Sequence, residues 1–471
     1  MPRPVLILGI VAGEAPPARL REQFAIVRLP IGTDRAAGRF FSEVAKIRDL
    51  CGPAWNRRAF DLLSVMCAVR AADRYHGSAG LFANTRDLSV GVAVTAPGPW
   101  RTLAPSLRHV AFRLSGDRLA LHPFPVRRVP EAARPATRST LDEVVRRYRP
   151  DCVCLFSGGA DSFCGAASLL AEGRRPLLVS HAVGAVSGRQ AELFQALRDR
   201  FPQLDARALL QLRTYPRSPA RGRRVSSATW RQHDDLQRLR SMHFLSLAAL
   251  IASSHGLDDI FMCENGIIGA AIAFSPHEDT PYTTRPSEPQ YLRALEHFLR
   301  ETLHARSLRL RNPLQYATKG EVVRECARLG LAEALSRTVS CWRSGNRGVR
   351  NCGECVPCLF RQLAFAEAGL SRRRGDYYGH AIPPARWRRW RSDVRHRLVA
   401  VRDYAAQVRV GGRSWLMNYE PAVTDAIDVT GGPARDRAAG EAATHALDEA
   451  AATRMAEAIE RFAAAALARL Q

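Results

Sequence analysis

Apolar positions along the chain fall into two periods, and the change of period marks its elements. Phe60–Tyr75 (FDLLSVMCAVRAADRY) carries apolar residues at helical spacing, and Leu88–Ala96 (LSVGVAVTA) alternates as a strand does. Val110–His122 (VAFRLSGDRLALH) reads as two short strands around Ser115-Gly116-Asp117, a hairpin signal. Val5–Gly13 is an apolar run that fits a first strand; its length also matches the core of a secretory leader. Farther on, short apolar runs at Asp151–Phe156, Leu177–His181 and Asp259–Cys263 alternate with helical patterns at Ser162–Glu172, Gln190–Arg200 and Phe244–Ser254. That alternation predicts a doubly wound parallel sheet covered on both faces, with ligand beyond the carboxyl ends of its strands. Near the C-terminus Leu447, Met455, Ile459, Phe462 and Leu470 form one helical stripe, with Glu457 and Arg461 as an i,i+4 pair.

Three regions follow. Residues 1–138 read as a smaller α+β domain, with Pro123–Pro135 as a linker. Residues 139–371 hold the α/β pattern, within which Arg213–Arg224 reads as a loop. Residues 372–471 form an Arg-rich helical extension that includes Arg386-Trp387-Arg388-Arg389-Trp390-Arg391.

The chain has 471 residues, 46% hydrophobic and 24% charged, which excludes a disordered or low-complexity protein. It has no run of about 18 apolar residues, so no membrane span is expected. The formal net charge of +24 invites a nucleic-acid partner. Among 69 lysines and arginines, however, only Lys46 and Lys319 are lysines. Arginine and alanine abound throughout, so the charge reflects coding bias as much as function.

Two constellations carry chemistry. Ser157-Gly158-Gly159-Ala160-Asp161-Ser162 follows a strand and opens a helix. Its glycines let the backbone approach an anion, its N–H groups form a nest, and the helix N-terminus adds a positive dipole end. Ser157 and Ser162 offer hydroxyls, and Asp161 can hold a metal ion or order the loop. The second constellation is Cys341, Cys352, Cys355 and Cys358, spaced C-x10-C-x2-C-x2-C. Four thiolates suit a structural zinc ion; an iron–sulfur cluster and a disulfide framework are the alternatives. Reduced thiols point to the cytoplasm. Glu264 and Asn265 end a predicted strand, where a carboxylate could accept from a guanine-like base or the pair could form a turn. His181 ends another strand and is either a nucleotide contact or a buried histidine.

The SGG-x-DS loop resembles the signature of PP-loop ATP pyrophosphatases, a Rossmann-like fold. Combined with SCWRSGNRGVRNCGECVPCLFRQLAFAEAGL it resembles the 7-cyano-7-deazaguanine synthases of the QueC type. Asn312-Pro313-Leu314 and Thr318-Lys319-Gly320-Glu321-Val322-Val323 match a further family segment, in which Thr318 and Glu321 form a capping box and Lys319 can reach a phosphate. The family's GRN-type element is partly present as Arg238-Leu239-Arg240-Ser241. The chain is also similar to extended QueC-like proteins of bacterial antiviral defence operons, at Glu264-Asn265-Gly266 and Thr283-Thr284-Arg285-Pro286, with Glu288 and Ala271 departing from that pattern.

The resemblance implies an ATP-dependent ligase using Mg-ATP. Ser157–Ser162 and Lys319 would hold the pyrophosphate, while His181, Arg240, Glu264, Asn265, Thr284 and Arg285 would line the nucleotide or substrate site. It implies adenylation of 7-carboxy-7-deazaguanine and transfer of the acyl group to an amine. The amine is a protein acceptor in the defence reading and ammonia in queuosine biosynthesis. A PP-loop enzyme that modifies tRNA through the Arg/Trp segment is the third reading.

Overall fold

The computed structural model describes residues 5–11, 15–32, 40–75, 85–182, 184, 186–216, 238–269, 285–341, 351, 355–370, 392–419 and 437–470. The first part of the chain runs β1 (Val5–Val11), α1 (Ala18–Gln23), β2 (Ala25–Gly32), β3 (Phe40–Ser42), α2 (Val44–Cys51), α3 (Arg57–Tyr75), β4 (Asp87–Val94), α4 (Pro97–Ser115) and β5 (Arg118–Pro125). Helices and strands are both present, as expected, and Val5–Val11 is a strand between β2 and β4. The hairpin at Val110–His122 does not form. Val110, Ala111 and Leu114 lie on the buried face of α4 together with Trp100 and Leu107, at helical spacing. Gly116, at φ 72°, ends that helix in the left-handed conformation. The same Ser-Gly-Asp that can turn a hairpin here terminates a helix, and β5 then pairs parallel to β4.

The second part of the chain runs α5 (Asp142–Tyr148), β6 (Cys152–Leu155), α6 (Ala160–Ala171), β7 (Pro176–His181), α7 (Val186–Arg200), β8 (Leu209–Leu212), β9 (Thr214–Pro216), α8 (Arg240–Ser254), β10 (Asp259–Phe261), α9 (Gly266–Gly269), α10 (Pro289–Leu303), β11 (Arg309–Arg311), α11 (Lys319–Cys326), α12 (Ala332–Arg337) and α13 (Val356–Glu367). Its sheet has the order β11-β10-β6-β7-β8, all parallel. The predicted strands and helices of this region stand where the periodicity put them. The chain walks outward from β6 to β8 and returns to β10, so the order reverses between β6 and β10. A crevice opens at such a reversal, past the carboxyl ends of the strands.

The first sheet has the order β5-β4-β1-β2-β3-β9. Its last member, β9, comes from the second part of the chain and pairs antiparallel to β3. The stretch read as a loop from Arg213 therefore starts as a strand, and residues 217–224 lie outside the described residues. One apolar core runs through both sheets. Leu63, Met66 and Val69 of α3 share it with Leu245, Ala248 and Ala249 of α8.

Two long helices close the chain, α14 (Ser392–Tyr419) and α15 (Arg437–Leu470). Met455, Ile459 and Phe462 are buried in a second core with Tyr404, Val408, Ile267 and Phe360. The side chains of Leu447 and Leu470 and the Arg/Trp segment lie outside the described residues. The expected Glu457–Arg461 pair is replaced by longer reaches. Glu457 meets Arg413 at 3.3 Å, while Arg461 meets Glu321 of α11 at 2.7 Å and donates to Tyr316 O at 2.9 Å. These contacts hold α15 against the helix that carries Lys319. No helix among the described residues is long and apolar enough to cross a membrane.

Candidate functional site

The loop after β6 is fixed before any ligand arrives. Gly158 takes φ 86°, a conformation that favours glycine. Ser157 Oγ accepts from the Gly159 N–H at 3.2 Å and lies 3.0 Å from Ser162 Oγ, which donates to Gly159 O at 3.1 Å. Gln190 Nε2 donates to both Ser157 O and His181 O, at 3.2 and 3.1 Å. The Val339 N–H donates to Gly158 O at 3.0 Å. Gly159 caps α6 and Ala160 begins it, so the helix N-terminus opens at the loop, as an anion site requires.

Asp161 and Lys319, 158 residues apart, meet at the mouth of this loop. Lys319 Nζ donates to Asp161 Oδ2 at 2.7 Å, and Asn265 Nδ2 donates to the same oxygen at 3.0 Å. Asp161 Oδ1 is buried with no hydrogen-bond partner among the described residues. Lys319 is the first residue of α11, behind the predicted capping box: Thr318 Oγ1 accepts from the Glu321 N–H at 3.2 Å and Glu321 Oε2 from the Thr318 N–H at 2.8 Å. A buried ammonium that lost its carboxylate would be costly by several kcal/mol, so the pair holds both side chains in place.

Glu264 and Asn265 follow β10, and Asn265 brings this turn to the Asp161 carboxylate. Asn312 brackets the turn: its Oδ1 accepts from the Glu264 N–H at 3.2 Å and its Nδ2 donates to Glu264 O at 2.8 Å. Gly266 follows because a Cβ there would lie 2.1 Å from Gln315 O. Glu264 Oε2 is buried with no hydrogen-bond partner among the described residues. Burial first, then the Asp161 carboxylate, push its carboxyl up to about 7, against the pull of Lys319 and Arg240.

His181 Nε2 contacts Thr214 O at 2.7 Å, and its ring lies 4.5 Å from the Phe244 ring. Burial and the neighbouring Arg70 and Arg240 hold its imidazole well below the usual range, so it is neutral here. Arg240 is exposed at the start of α8 with its guanidinium over Phe244. Arg285 is tied elsewhere by its backbone, donating to Leu114 O at 3.0 Å, and Thr284 lies outside the described residues. Glu288 caps α10 by accepting from the Gln290 and Tyr291 N–H groups at 2.8 and 2.7 Å, which accounts for the acid at that departure from the family pattern. Gln190 and the Val339 backbone carry no local motif. Asn312 falls within the matched family segment, yet its bracketing role depends on a contact 48 residues away.

Cys341, Cys355 and Cys358 are buried with their sulfurs within 4.8 Å of one another, and Cys355 Sγ is 3.9 Å from Cys341 Sγ. A tetrahedral zinc with Zn–S near 2.3 Å separates its sulfurs by about 3.8 Å, so the donor set fits that ion. Cys352 lies outside the described residues.

A family description, "Queuosine biosynthesis protein QueC", matches residues 151–369. The 7-cyano-7-deazaguanine synthase of Syntrophobacter fumaroxidans is 30% identical over 247 residues, which are 48% of this chain and 95% of that protein. The chain belongs to the QueC family. Shorter matches are to relatives of the same description. The synthase of Nitrosococcus oceani is 34% identical over 135 residues, 28% of this chain and 54% of the relative. That of Thermoplasma acidophilum is 35% identical over 133 residues, 28% and 49% respectively. The chain thus spans about half the length of these two. Family membership brings the PP-loop, Rossmann-like fold, and the five-stranded parallel sheet agrees with it.

Proposed function

We propose that the chain is an ATP-dependent ligase that adenylates the carboxylate of 7-carboxy-7-deazaguanine and passes the acyl group to an amine, a protein amine of a bacterial antiphage system. The observation that carries the chemistry is the Asp161–Lys319–Asn265 cluster beside the preformed loop of Ser157–Ser162. A carboxylate oxygen of the acid attacks the α-phosphorus of Mg-ATP. The bond to the β-phosphate oxygen breaks, and pyrophosphate leaves into the loop. The amine nitrogen then attacks the acyl carbon, AMP leaves, and the nitrogen gives up a proton as the amide forms. The residues position the reactants and neutralise charge rather than form a bond to substrate. Loop amides and Lys319 take the pyrophosphate, and Glu264 in its ionised form accepts from the N–H edge of the base. Cys341, Cys355 and Cys358, with Cys352, would hold a structural zinc ion, which would tie the segment before α13 to the body of the domain.

What supports a protein acceptor is the material outside residues 151–369: a second sheet that shares one apolar core with the first, and a terminal helix, α15, whose Arg461 meets Glu321 of α11. We assign residues 1–138 and 372–471 to partner docking around a catalytic domain at 139–371. The second reading, an ordinary synthase using ammonia, is favoured by the match to nearly the full length of the Syntrophobacter protein. Intact-mass spectrometry separates them. With Mg-ATP and the acid, a small polypeptide encoded beside this gene should gain the deazaguanine acyl mass without added ammonium. Turnover only with ammonium, with nitrile as product, would overturn the protein-acceptor reading.

A further inference from the structure

The start of α8 has no cap from its own segment. Leu239 stands at the capping position, and its side chain accepts no hydrogen bond. The acceptor comes from α3 instead. Asp73 Oδ1 accepts from the Arg238 N–H at 3.1 Å and Oδ2 from the Leu239 N–H at 2.9 Å, across 165 and 166 residues of chain. A carboxylate there also meets the positive end of the helix dipole. Asp73 lies far outside residues 151–369, the segment matched by the family, yet it holds an element inside that segment.

Asp73 is itself fixed. Arg86 Nη2 donates to Asp73 Oδ1 at 2.6 Å, and Arg86 Nη1 to Asp73 O at 2.9 Å. Arg86 Nε and its backbone N–H both donate to Asp117 Oδ1 at 3.1 Å. Asp117 also accepts from Ser115 Oγ at 3.0 Å and from Arg238 Nη1 at 3.4 Å. Asp73, Arg86, Asp117 and Arg238 are all buried. Apolar side chains would join α3 to α8 at a smaller desolvation cost. Hydrogen bonds add direction, so this network sets where α8 begins. That start bears on the site. Arg240 is the first residue of α8, and its guanidinium lies 5.9 Å from the Phe244 ring centre. The Phe244 ring lies 4.5 Å from that of His181, and the Gln190 amide joins His181 O to Ser157 O of the phosphate loop. The charges of Arg240 and Glu264 act on each other as well.

We propose that Asp73 is a positioning residue of the reaction: by holding the backbone of Arg238 and Leu239 it sets Arg240 beside Phe244 and His181, next to the phosphate loop, so that the site is complete only with α3 in place. The proposal rests on the adenylation reading, in which Arg240 meets a bound reactant. A double-mutant cycle tests the link. Pyrophosphate release is measured against the acid and against ATP for the wild type, Asp73→Asn, Arg240→Gln and the double variant, with a melting curve for each. Asp73→Asn keeps the shape of the side chain but turns an amide N–H toward a backbone N–H. The expected result is a loss of at least about tenfold in kcat/KM for one reactant in folded Asp73→Asn, the scale of a lost charge-assisted hydrogen bond, and little further loss in the Arg240→Gln background. A purely structural Asp73 would lower the melting temperature and leave kcat and KM of the folded protein alone. Wild-type kinetics in folded Asp73→Asn, or an equal loss in both backgrounds, would overturn the proposal. If Asp73→Asn fails to fold, Asp73→Glu, which keeps the charge balance but displaces the carboxylate, takes its place in the cycle. If the wild type binds ATP but releases no pyrophosphate with the acid, the adenylation reading fails, and ATP affinity in the same proteins decides: a coupled loss upholds the positioning role, and an unchanged or additive one overturns it.

Discussion

Glu264 shows at the scale of one residue how fold and function compete. Its carboxyl is held up to about 7 by burial and by Asp161, above the ordinary glutamate range. Between that range and about 7 the folded chain binds a proton that the unfolded chain does not, so this group's contribution to stability falls as pH rises through the window. Ligand-free wild type should therefore lose stability between about pH 5 and about pH 8 relative to Glu264→Gln, measured by denaturant unfolding. Parallel stability curves for the two proteins would remove Glu264 from that role. Under the proposed function the same ionisation would favour substrate, because only the carboxylate accepts from two N–H groups. Lys319 and the Ser157–Ser162 loop were legible from local sequence. Arg70, Asp73, Arg86 and Asp117 were not, since their partners lie far along the chain. The one signal was Arg70 and Asp73, two charges set three residues apart in the second half of α3.

At the scale of elements, α11 is the clearest case of sequence reading carried into structure. Thr318 and Glu321 close the capping box read from their spacing, and the cap orients Lys319 toward Asp161. Replacing Thr318 with alanine should cost about 1 kcal/mol of stability and, by loosening Lys319, weaken pyrophosphate release beyond that loss, whereas serine should preserve both. Full activity in a destabilised Thr318→Ala protein would separate the cap from the chemistry. The α/β alternation of the five-stranded sheet was legible because buried parallel strands and their helices carry strong, different periods. The failed hairpin at Val110–His122 had a short apolar run that suits either period, and a glycine that ends helices as readily as it turns strands. β9 was hidden because three residues inside an Arg- and Pro-rich stretch carry no period at all.

At the scale of the whole molecule, the two sheets share one apolar core and α15 is held beside α11. β9 extends the first sheet from within the second part of the chain, a shared core joins the sheets, and Arg461 anchors α15 beside α11. The parts beyond the family segment thus bear directly on the site. The central claim remains adenylation of a deazaguanine acid, and its most direct test is pyrophosphate release with Mg-ATP and 7-carboxy-7-deazaguanine, with and without ammonium. Release that requires the acid, proceeds without ammonium and disappears in Asp161→Ala is the predicted result. Absence of release under both conditions, or full release in Asp161→Ala, would contradict it.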